Sequence, residues 1–251
     1  MQKSTPDQVR DYYNEMTSSY LEIYGDVIQA FRPTDTEKLL DYIGRSAGIN
    51  WKLKVLDLGC GVAGPAIHFA KRWNVQIDGV TISDVQLEIA NQKIVQENLS
   101  KNVTIYKEDY HQLNSLPVED NYYDVVLFLE SLGHSDNVSS AIQQAALKLK
   151  SGGSLYVKDF YKKSVEDIAE QNVIDKIVEN INKSYAYNTL DINEVQAAIQ
   201  DAGLNIIMKK KFDFMDDIAI RFEFEKVNKL DIFEGHTINP ADWQEIKCVK
   251  I

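Results

Sequence analysis

The chain has 251 residues, of which 44% are hydrophobic and 26% are charged, and its 27 basic and 38 acidic side chains give a formal net charge of −11. This length and composition indicate one large globular domain or two small ones and exclude a disordered chain. The negative charge argues against nucleic acid or an anionic membrane surface as the main partner, because phosphate groups would be repelled.

The N-terminal part of the chain has the pattern of two helices. Apolar and aromatic residues recur at spacings of three and four over 6–24, which predicts the first helix. A second helix is expected over about 34–47, where Thr34 and Glu37 have the spacing of a capping box. We therefore expect residues 1–50 to form a helical cap beside the main domain.

Strand and helix signals alternate from residue 51 to residue 160. Helical patterns cover about 63–73, 84–98 and 138–150, and the last of these helices is expected to end at Gly152-Gly153. The predicted strands are Lys54–Leu58, Val75–Ile82, Val103–Lys107, Asp124–Leu129 and Ser154–Phe160. This alternation indicates βαβ units with a parallel sheet, so residues 51–160 are expected to form a doubly wound, Rossmann-like α/β core.

The remaining residues, 161–251, mix insertions with further core elements. Residues 161–190 and 213–243 have helix-like patterns and many aromatic residues, Phe214 among them, beside Met215. We expect these insertions to form a second helical cap. The elements predicted to complete a seven-stranded sheet are a helix over 191–202, a strand over Leu204–Lys210 and a closing strand over Trp243–Ile251.

A glycine-rich turn follows the first core strand. Gly59-Cys60-Gly61-Val62-Ala63-Gly64 matches GxGxxG, in which glycines let the backbone approach a ligand closely. Asp57, just before this turn, would repel a pyrophosphate but suits S-adenosylmethionine, which carries an ammonium and a sulfonium. A dinucleotide needs an acid near the tip of the second strand, and Asp78 leaves that alternative open.

The stretch Val55-Leu56-Asp57-Leu58-Gly59-Cys60-Gly61 resembles motif I of class I S-adenosylmethionine-dependent methyltransferases. Gly79–Gln86 resembles one branch of them, which holds cyclopropane fatty acid synthases, sterol, tocopherol and isoprenyl-diphosphate C-methyltransferases, and sugar or glycine N/O-methyltransferases. The resemblance covers residues 55–160. It implies that the cofactor is bound by Asp57, Gly59, Cys60, Gly61, Thr81, Ile82, Gln86, Asp109 and Tyr110.

Tyrosines of the first helix also resemble this branch, whose N-terminal helix covers the cofactor. The resemblance implies that Tyr13 and Tyr20 face the sulfonium, where aromatic rings stabilise a cation. The alternative is an aromatic stripe that packs the helix on the core. The chain departs from the branch after this helix, because Ile28-Gln29-Ala30-Phe31 stands where relatives have Ile-His-x-Gly. A role of that histidine is therefore not carried over.

Three candidate catalytic residues follow strand ends, where ligands bind in doubly wound sheets. Glu130-Ser131-Leu132-Gly133-His134 resembles the Glu-Ser-x-x-His segment of the sterol, tocopherol and sugar enzymes. Glu130 would neutralise the sulfonium or orient an acceptor, and His134 has the side chain that suits proton removal near neutral pH. Asp159 resembles an acid that handles the acceptor proton in the sugar enzymes. The alternatives are an indirect role for His134 and a turn or capping role for Asp159.

We expect an S-adenosylmethionine-dependent methyltransferase that acts on an O, N or C atom of a small acceptor, apolar or a specialised metabolite. The alternatives are a C-methyltransferase of an isoprenoid diphosphate or lipid alkene, a cyclase of the same fold that does not methylate, and an NAD dehydrogenase. The aromatic insertions suit an apolar or planar acceptor, but equally suit core packing or a dimer contact. We expect no metal, and a monomer or homodimer.

The sequence also predicts a compartment. The two cysteines, Cys60 and Cys248, cannot form a disulfide framework. The N-terminal residues lack the apolar region of a signal peptide, and no run approaches the roughly 18 apolar residues of a membrane span. We therefore expect a cytoplasmic protein without an integral membrane segment.

Overall fold

The apolar runs predicted as strands pair into one mixed sheet. The computed structural model describes residues 3–30, 32–212 and 219–251, so Phe31, Phe214 and Met215 lie outside the described residues. The strands are β1 (Lys54–Leu58), β2 (Gln76–Thr81), β3 (Val103–Lys107), β4 (Tyr123–Leu129), β5 (Leu149–Lys162), β6 (Leu204–Lys211) and β7 (Ala241–Lys250). Their order in the sheet is β3-β2-β1-β4-β5-β7-β6.

Helices connect the strands and cover the sheet. They are α1 (Pro6–Tyr24), α2 (Thr36–Ala47), α3 (Gly64–Trp73), α4 (Asp84–Gln96), α5 (Val138–Lys148), α6 (Ile168–Ser184), α7 (Ile192–Asp201) and α8 (Ala219–Val227). Val55 and Leu56 are neighbours on β1 but belong to two different buried apolar clusters. Because successive strand residues point to opposite faces, the sheet has a hydrophobic core on each side. This confirms the predicted α/β, Rossmann-like fold.

The order of the strands determines where a ligand can bind. β1 pairs in parallel with β2 on one side and with β4 on the other, so the chain reverses its direction of winding at β1. β4 and β5 are also parallel, whereas β7 runs antiparallel to β5 and β6. Parallel α/β sheets bind ligands at such a switch point, beyond the carboxyl ends of the strands. Here that position lies beyond Leu58 and Leu129.

Three details of the sequence prediction are wrong. Helix α2 has Asp35 as its N-cap, whose carboxylate accepts from the backbone N–H of Lys38 at 3.0 Å, so Thr34 does not form a capping box. Helix α5 ends at Lys148, and Gly152-Gly153 lie inside β5, at an irregularity of its pairing with β4. The insertion predicted over 213–243 contains the short helix α8, and β7 already begins at Ala241.

The predicted divisions at residues 50 and 160 remain a prediction, and β5 continues past the second of them to Lys162. No helix within the described ranges is long and apolar enough to cross a membrane.

One glycine has a packing role that leads to the site. A Cβ atom built on Gly133 would lie 2.0 Å from Cζ of Tyr187. The Tyr187 ring stacks on Phe160 with centroids 4.7 Å apart, and its hydroxyl donates to Asp159. Because the ring is held on both sides, it cannot move to admit a methyl group.

We expect Gly133→Ala to lower the free energy of unfolding by about 1–3 kcal/mol through overpacking. Urea denaturation would measure the change. The matched control is Gly152→Ala, where φ is +77° and the Cβ position is open, so that backbone strain of about 1–2 kcal/mol is the only cost. Equal stability of Gly133→Ala and the unsubstituted chain would contradict the packing assigned to Tyr187.

Candidate functional site

The glycine-rich turn lies directly against the end of β4. Gly59 and Gly61 have φ of +83° and +55°, in the left-handed region that glycine favours. The backbone N–H groups of Gly59 and Cys60 both donate to the carbonyl of Val80, at 3.0 and 2.9 Å. A Cβ on Gly59 would lie 2.5 Å from Cβ of Ser131, so only glycine permits this approach.

The turn forms one wall of a cavity of about 670 Å³, which we call the glycine-loop cavity. Its lining includes several predicted cofactor residues together with the start of α1. Those predicted residues are Tyr13, Gly59, Gly61, Thr81, Ile82, Gln86, Asp109, Tyr110, Glu130 and His134. The residues predicted for the site therefore come from five separate segments of the chain, and the fold brings these segments together at one cavity.

Hydrogen bonds within the protein orient several polar side chains that line the glycine-loop cavity. Thr81 donates to the Gln86 side-chain carbonyl at 2.8 Å. The Asp109 carboxylate contacts Nδ1 of His111 at 2.6 Å, and Nε2 of His111 contacts the Ser135 hydroxyl at 2.7 Å. Burial disfavours the charged form of Asp109, but the side-chain and backbone hydrogen bonds from His111 outweigh it and lower the pKa of this carboxyl. Asp109 is thus held as a carboxylate acceptor.

A smaller cavity of about 310 Å³, which we call the Asp57 recess, adjoins the turn and is lined by Asp26, Gln29, Asp57, Gly59, Cys60 and Gly61, among others. Asp57 is 1% exposed, and its Oδ2 atom has no hydrogen-bond partner among the described residues. Burial raises the pKa of Asp57 to about 7. A buried carboxylate without a partner is costly, so this position is suited to a cationic ligand group.

A third cavity, of about 780 Å³, lies between α1, α6, α8 and the end of β5, and we call it the aromatic cavity. Its aromatic walls are Tyr13, Tyr20, Tyr24, Phe160, Tyr185, Tyr187 and Trp243. Tyr20 stacks on Phe224 with centroids 4.3 Å apart, and it is among the lining residues of this cavity but not of the glycine-loop cavity. The aromatic residues of the insertions thus line a space large enough for a small molecule.

The glycine-loop cavity and the aromatic cavity meet at four shared residues, Tyr13, Ile28, Glu130 and His134. Nδ1 of His134 lies 3.0 Å from the carbonyl of Ala186, which can only accept, so Nδ1 carries the proton. Nε2 therefore accepts from the Tyr13 hydroxyl, at 2.8 Å. Burial lowers the pKa of His134 to about 4, which keeps the imidazole neutral.

Glu130 is held at this junction by a buried lysine. Its φ is +57°, a left-handed conformation that costs about 1–3 kcal/mol outside glycine. One carboxylate oxygen contacts Nζ of Lys158, which is fully buried, and the other accepts from the backbone N–H of Ala30 at 2.7 Å. Lys158 also donates to the side-chain carbonyl of Gln29 at 2.8 Å. The carboxylate of Glu130 is thus fixed by the loop after α1 and by β5.

Asp159 lies behind the wall of the aromatic cavity. It is fully buried, and its carboxylate accepts from the Tyr187 hydroxyl and from the backbone N–H groups of Phe160 and Gly133, at 2.8 and 3.2 Å. Burial raises the pKa of Asp159 to about 7, against the effect of these donors. The Tyr187 ring separates this carboxylate from the cavity, so direct contact with an acceptor stays a prediction.

Sequence reasoning assigned no role to Gln29, His111 or Lys158, and it placed Tyr187 only among the aromatic residues of an insertion. A lysine inside the apolar run of β5 was a detectable signal for Lys158, because a charge there needs a buried partner. Gln29 stood out only as a departure from the pattern of relatives, and His111 carries no local signal. Among the described residues, no group of three or more histidine, cysteine or acidic side chains is placed to hold a metal ion.

Comparison with known proteins places this architecture in a family. A family profile described as a methyltransferase domain matches residues 49–229. The chain is 28% identical to 27-O-demethylrifamycin SV methyltransferase of Amycolatopsis mediterranei over 212 residues, 81% of this chain and 76% of that protein. It is 29% identical to the sterol 24-C-methyltransferase erg-4 of Neurospora crassa over 207 residues, 79% of this chain but 53% of that protein.

Among solved structures, the [4+2]-cyclase SpnF superposes with a TM-score of 0.79 over 100% of this chain and 98% of that chain, at 18% identity, which shows a shared fold. The family profile covers more than half of this chain and includes the glycine-rich turn and the carboxyl ends of β1, β2 and β4. The chain therefore belongs to the methyltransferase domain family, in the class I branch whose enzymes take the methyl group from S-adenosylmethionine.

Proposed function

We propose that this enzyme methylates a heteroatom of a largely apolar small molecule, with the cofactor in the glycine-loop cavity and the acceptor in the aromatic cavity. One observation carries the proposal. The two cavities share Tyr13 and His134, which are hydrogen-bonded to each other at 2.8 Å, so that an electrophile in one cavity and a nucleophile in the other would meet beside this pair. Holding two reactants in such a geometry supplies a large part of the rate of a methyl transfer.

The residues present fit the cofactor. The α-ammonium of its amino-acid end suits Asp57, whose buried Oδ2 lacks a partner among the described residues. The adenosine portion suits the cavity wall with Thr81, Gln86 and Asp109. When bound, S-adenosylmethionine supplies an electrophilic methyl group on a sulfonium. Glu130, fixed by Lys158, adds a carboxylate at the junction between donor and acceptor.

The chain also offers a path for the proton of an acceptor hydroxyl or amine. Burial and the neighbouring charges of Glu130 and Asp159 raise the pKa of Tyr13 well above its ordinary value, so tyrosinate is disfavoured. Tyr13 can accept the acceptor proton only while its own proton passes to Nε2 of His134. The tautomer fixed by Ala186 leaves that nitrogen ready to accept.

The charge in the aromatic cavity bears on the acceptor. The charged side chains in its described lining are Glu130, Glu225 and Arg221, and the last two form an ion pair at 3.2 Å. Tyr185 also donates to Glu225, at 3.1 Å. A lining with two carboxylates and one paired guanidinium favours a neutral or cationic acceptor over an isoprenoid diphosphate. A specialised metabolite is consistent with this lining and with the relative that acts on a rifamycin.

Two alternatives are separated by a direct assay. A C-methyltransferase of a lipid alkene would use the same junction, with Glu130 or His134 as the base after a carbocation forms. A cyclase that retains the cofactor would leave it unchanged, and the likeness to such a cyclase concerns the fold. Incubation with S-adenosylmethionine and a panel of phenols, alcohols, amines, sterols and isoprenyl diphosphates would separate these cases. We expect S-adenosylhomocysteine release with apolar hydroxyl or amine acceptors. Conversion of a substrate without such release would refute methylation.

Asp57→Asn should weaken cofactor binding while it stabilises the ligand-free protein. The pKa of Asp57 is about 7 in the folded chain against an ordinary 3.8, so the folded state retains a proton that the unfolded state loses between these values. Stability contributed by this group therefore falls as pH rises through that window, and asparagine removes the loss. At pH 8 the variant should be more stable by roughly 1–4 kcal/mol, and at pH 4 equally stable.

Calorimetry should show S-adenosylhomocysteine binding to Asp57→Asn weakened by about 10–100-fold, the value of a hydrogen bond to a charged group. The control is Asp78→Asn, since Asp78 is also a carboxylate with a raised pKa but is not among the lining residues of these three cavities and accepts from the Tyr123 hydroxyl at 2.7 Å. Its affinity for the ligand should not change. Wild-type affinity in Asp57→Asn would contradict the cofactor placement.

Tyr13→Phe and His134→Gln should each lower kcat by about 10²–10⁴-fold with an acceptor that must lose a proton. Tyr13→Phe keeps the aromatic wall and removes only the hydroxyl that links the acceptor to Nε2. Single-turnover measurements would give the rate, and S-adenosylhomocysteine affinity should stay within a few-fold in both variants. Unchanged turnover in both variants would contradict the proposed proton path. Additive effects of the two substitutions in a double variant would show that Tyr13 and His134 do not act together.

A further inference from the structure

Two side chains that line the Asp57 recess each carry a buried polar atom without a partner among the described residues, one an acceptor and the other a donor. The recess is lined by Asp57 at the end of β1 and by Gln29 in the loop after α1, and both side chains are 1% exposed. Oδ2 of Asp57 and Nε2 of Gln29 have no partner among the described residues. Buried polar atoms in folded proteins are paired with great regularity, so two in one recess indicate a ligand with complementary groups.

The orientation of the Gln29 amide is determined by its neighbour. Its Oε1 accepts from Nζ of Lys158 at 2.8 Å, and a lysine ammonium can only donate. Nε2 is therefore the atom left for a ligand, and it can only donate. The adjacent positive charge polarises the amide and strengthens such a donor. Asp26 also lines the recess, but its carboxylate is paired with Lys93.

An acceptor oxygen at Asp57 and a donor nitrogen at Gln29 match an α-amino acid in its zwitterionic form. The carboxylate of Asp57 suits an α-ammonium, and the N–H of Gln29 suits an α-carboxylate. We infer that Gln29 binds the α-carboxylate of the cofactor's amino-acid end, so that the Asp57 recess binds both the ammonium and the carboxylate of that end. This inference rests on the proposed function, because it takes S-adenosylmethionine as the ligand of the adjoining cavity.

The same amide connects the two reactant cavities. Lys158 contacts both Gln29 and Glu130, and Glu130 in turn accepts from the backbone N–H of Ala30. A carboxylate on Nε2 of Gln29 would therefore secure the loop that carries Ile28, a residue that lines all three cavities. In this arrangement the amino-acid end of the cofactor also secures the loop segment that lines the aromatic cavity.

The test compares two ligands that differ in the amino-acid end alone. S-Adenosylhomocysteine carries that end, whereas 5′-methylthioadenosine has the same adenosine thioether and lacks it. Isothermal titration of the full chain would give both affinities for the wild type and for Gln29→Leu. We expect Gln29→Leu to weaken S-adenosylhomocysteine by about 10–100-fold and to leave 5′-methylthioadenosine within twofold.

A second variant at the same position tests the inference if Gln29→Leu does not fold. Gln29→Glu retains an acceptor for Lys158 but replaces the donor with an oxygen that repels a carboxylate, so it should weaken S-adenosylhomocysteine at least as strongly. An equal loss for both ligands, or no loss for either, would overturn the inference and leave the recess as a site for water. A wild-type chain that binds neither ligand would refute the proposed function itself.

Discussion

The site depends on a buried ion pair between Glu130 and Lys158. Glu130 ends β4 in a left-handed conformation, and Lys158 lies fully inside the sheet on β5, with Glu245 as its direct partner on β7. A buried charge without a counter-charge is strongly unfavourable, so each of these side chains requires the other. Their contact turns the carboxylate toward the loop after α1, where it accepts from Ala30 and where Lys158 meets Gln29.

This pair explains how one loop can border three cavities. The loop after α1 is attached to the sheet by the hydrogen bond from Ala30 to Glu130 and by the hydrogen bond from Lys158 to Gln29. Within α1, Asn14 accepts from the Ser83 hydroxyl at 2.7 Å, which holds this helix against the start of α4. The N-terminal segment thus covers the switch point of the sheet, beyond the carboxyl ends of β1 and β4. Tyr13 and His134 line both the glycine-loop cavity and the aromatic cavity, at the place where the two cavities meet.

The fold and half of the site could be predicted because their signals are local. Short apolar runs identified β1, β2, β3 and β4 to within one or two residues. Glu130 and His134 were found because they follow β4, and Asp57 because it lies near the end of β1, before the glycine-rich turn. Gln29 and Lys158 are 129 residues apart, and their pairing is created by tertiary structure alone. The same holds for Tyr187, which reaches Asp159 from the insertion, and for Tyr20, whose helical phase turns it toward the aromatic cavity.

A crystal structure of the complex with S-adenosylhomocysteine would show whether the cofactor and the acceptor meet at Tyr13 and His134. We expect the α-ammonium within hydrogen-bond distance of Asp57, the α-carboxylate at Gln29, and the thioether sulfur beside Tyr13, directed toward the aromatic cavity. A ligand whose sulfur faces away from the aromatic cavity, with Tyr13 and His134 beyond reach of any acceptor beside it, would contradict the account.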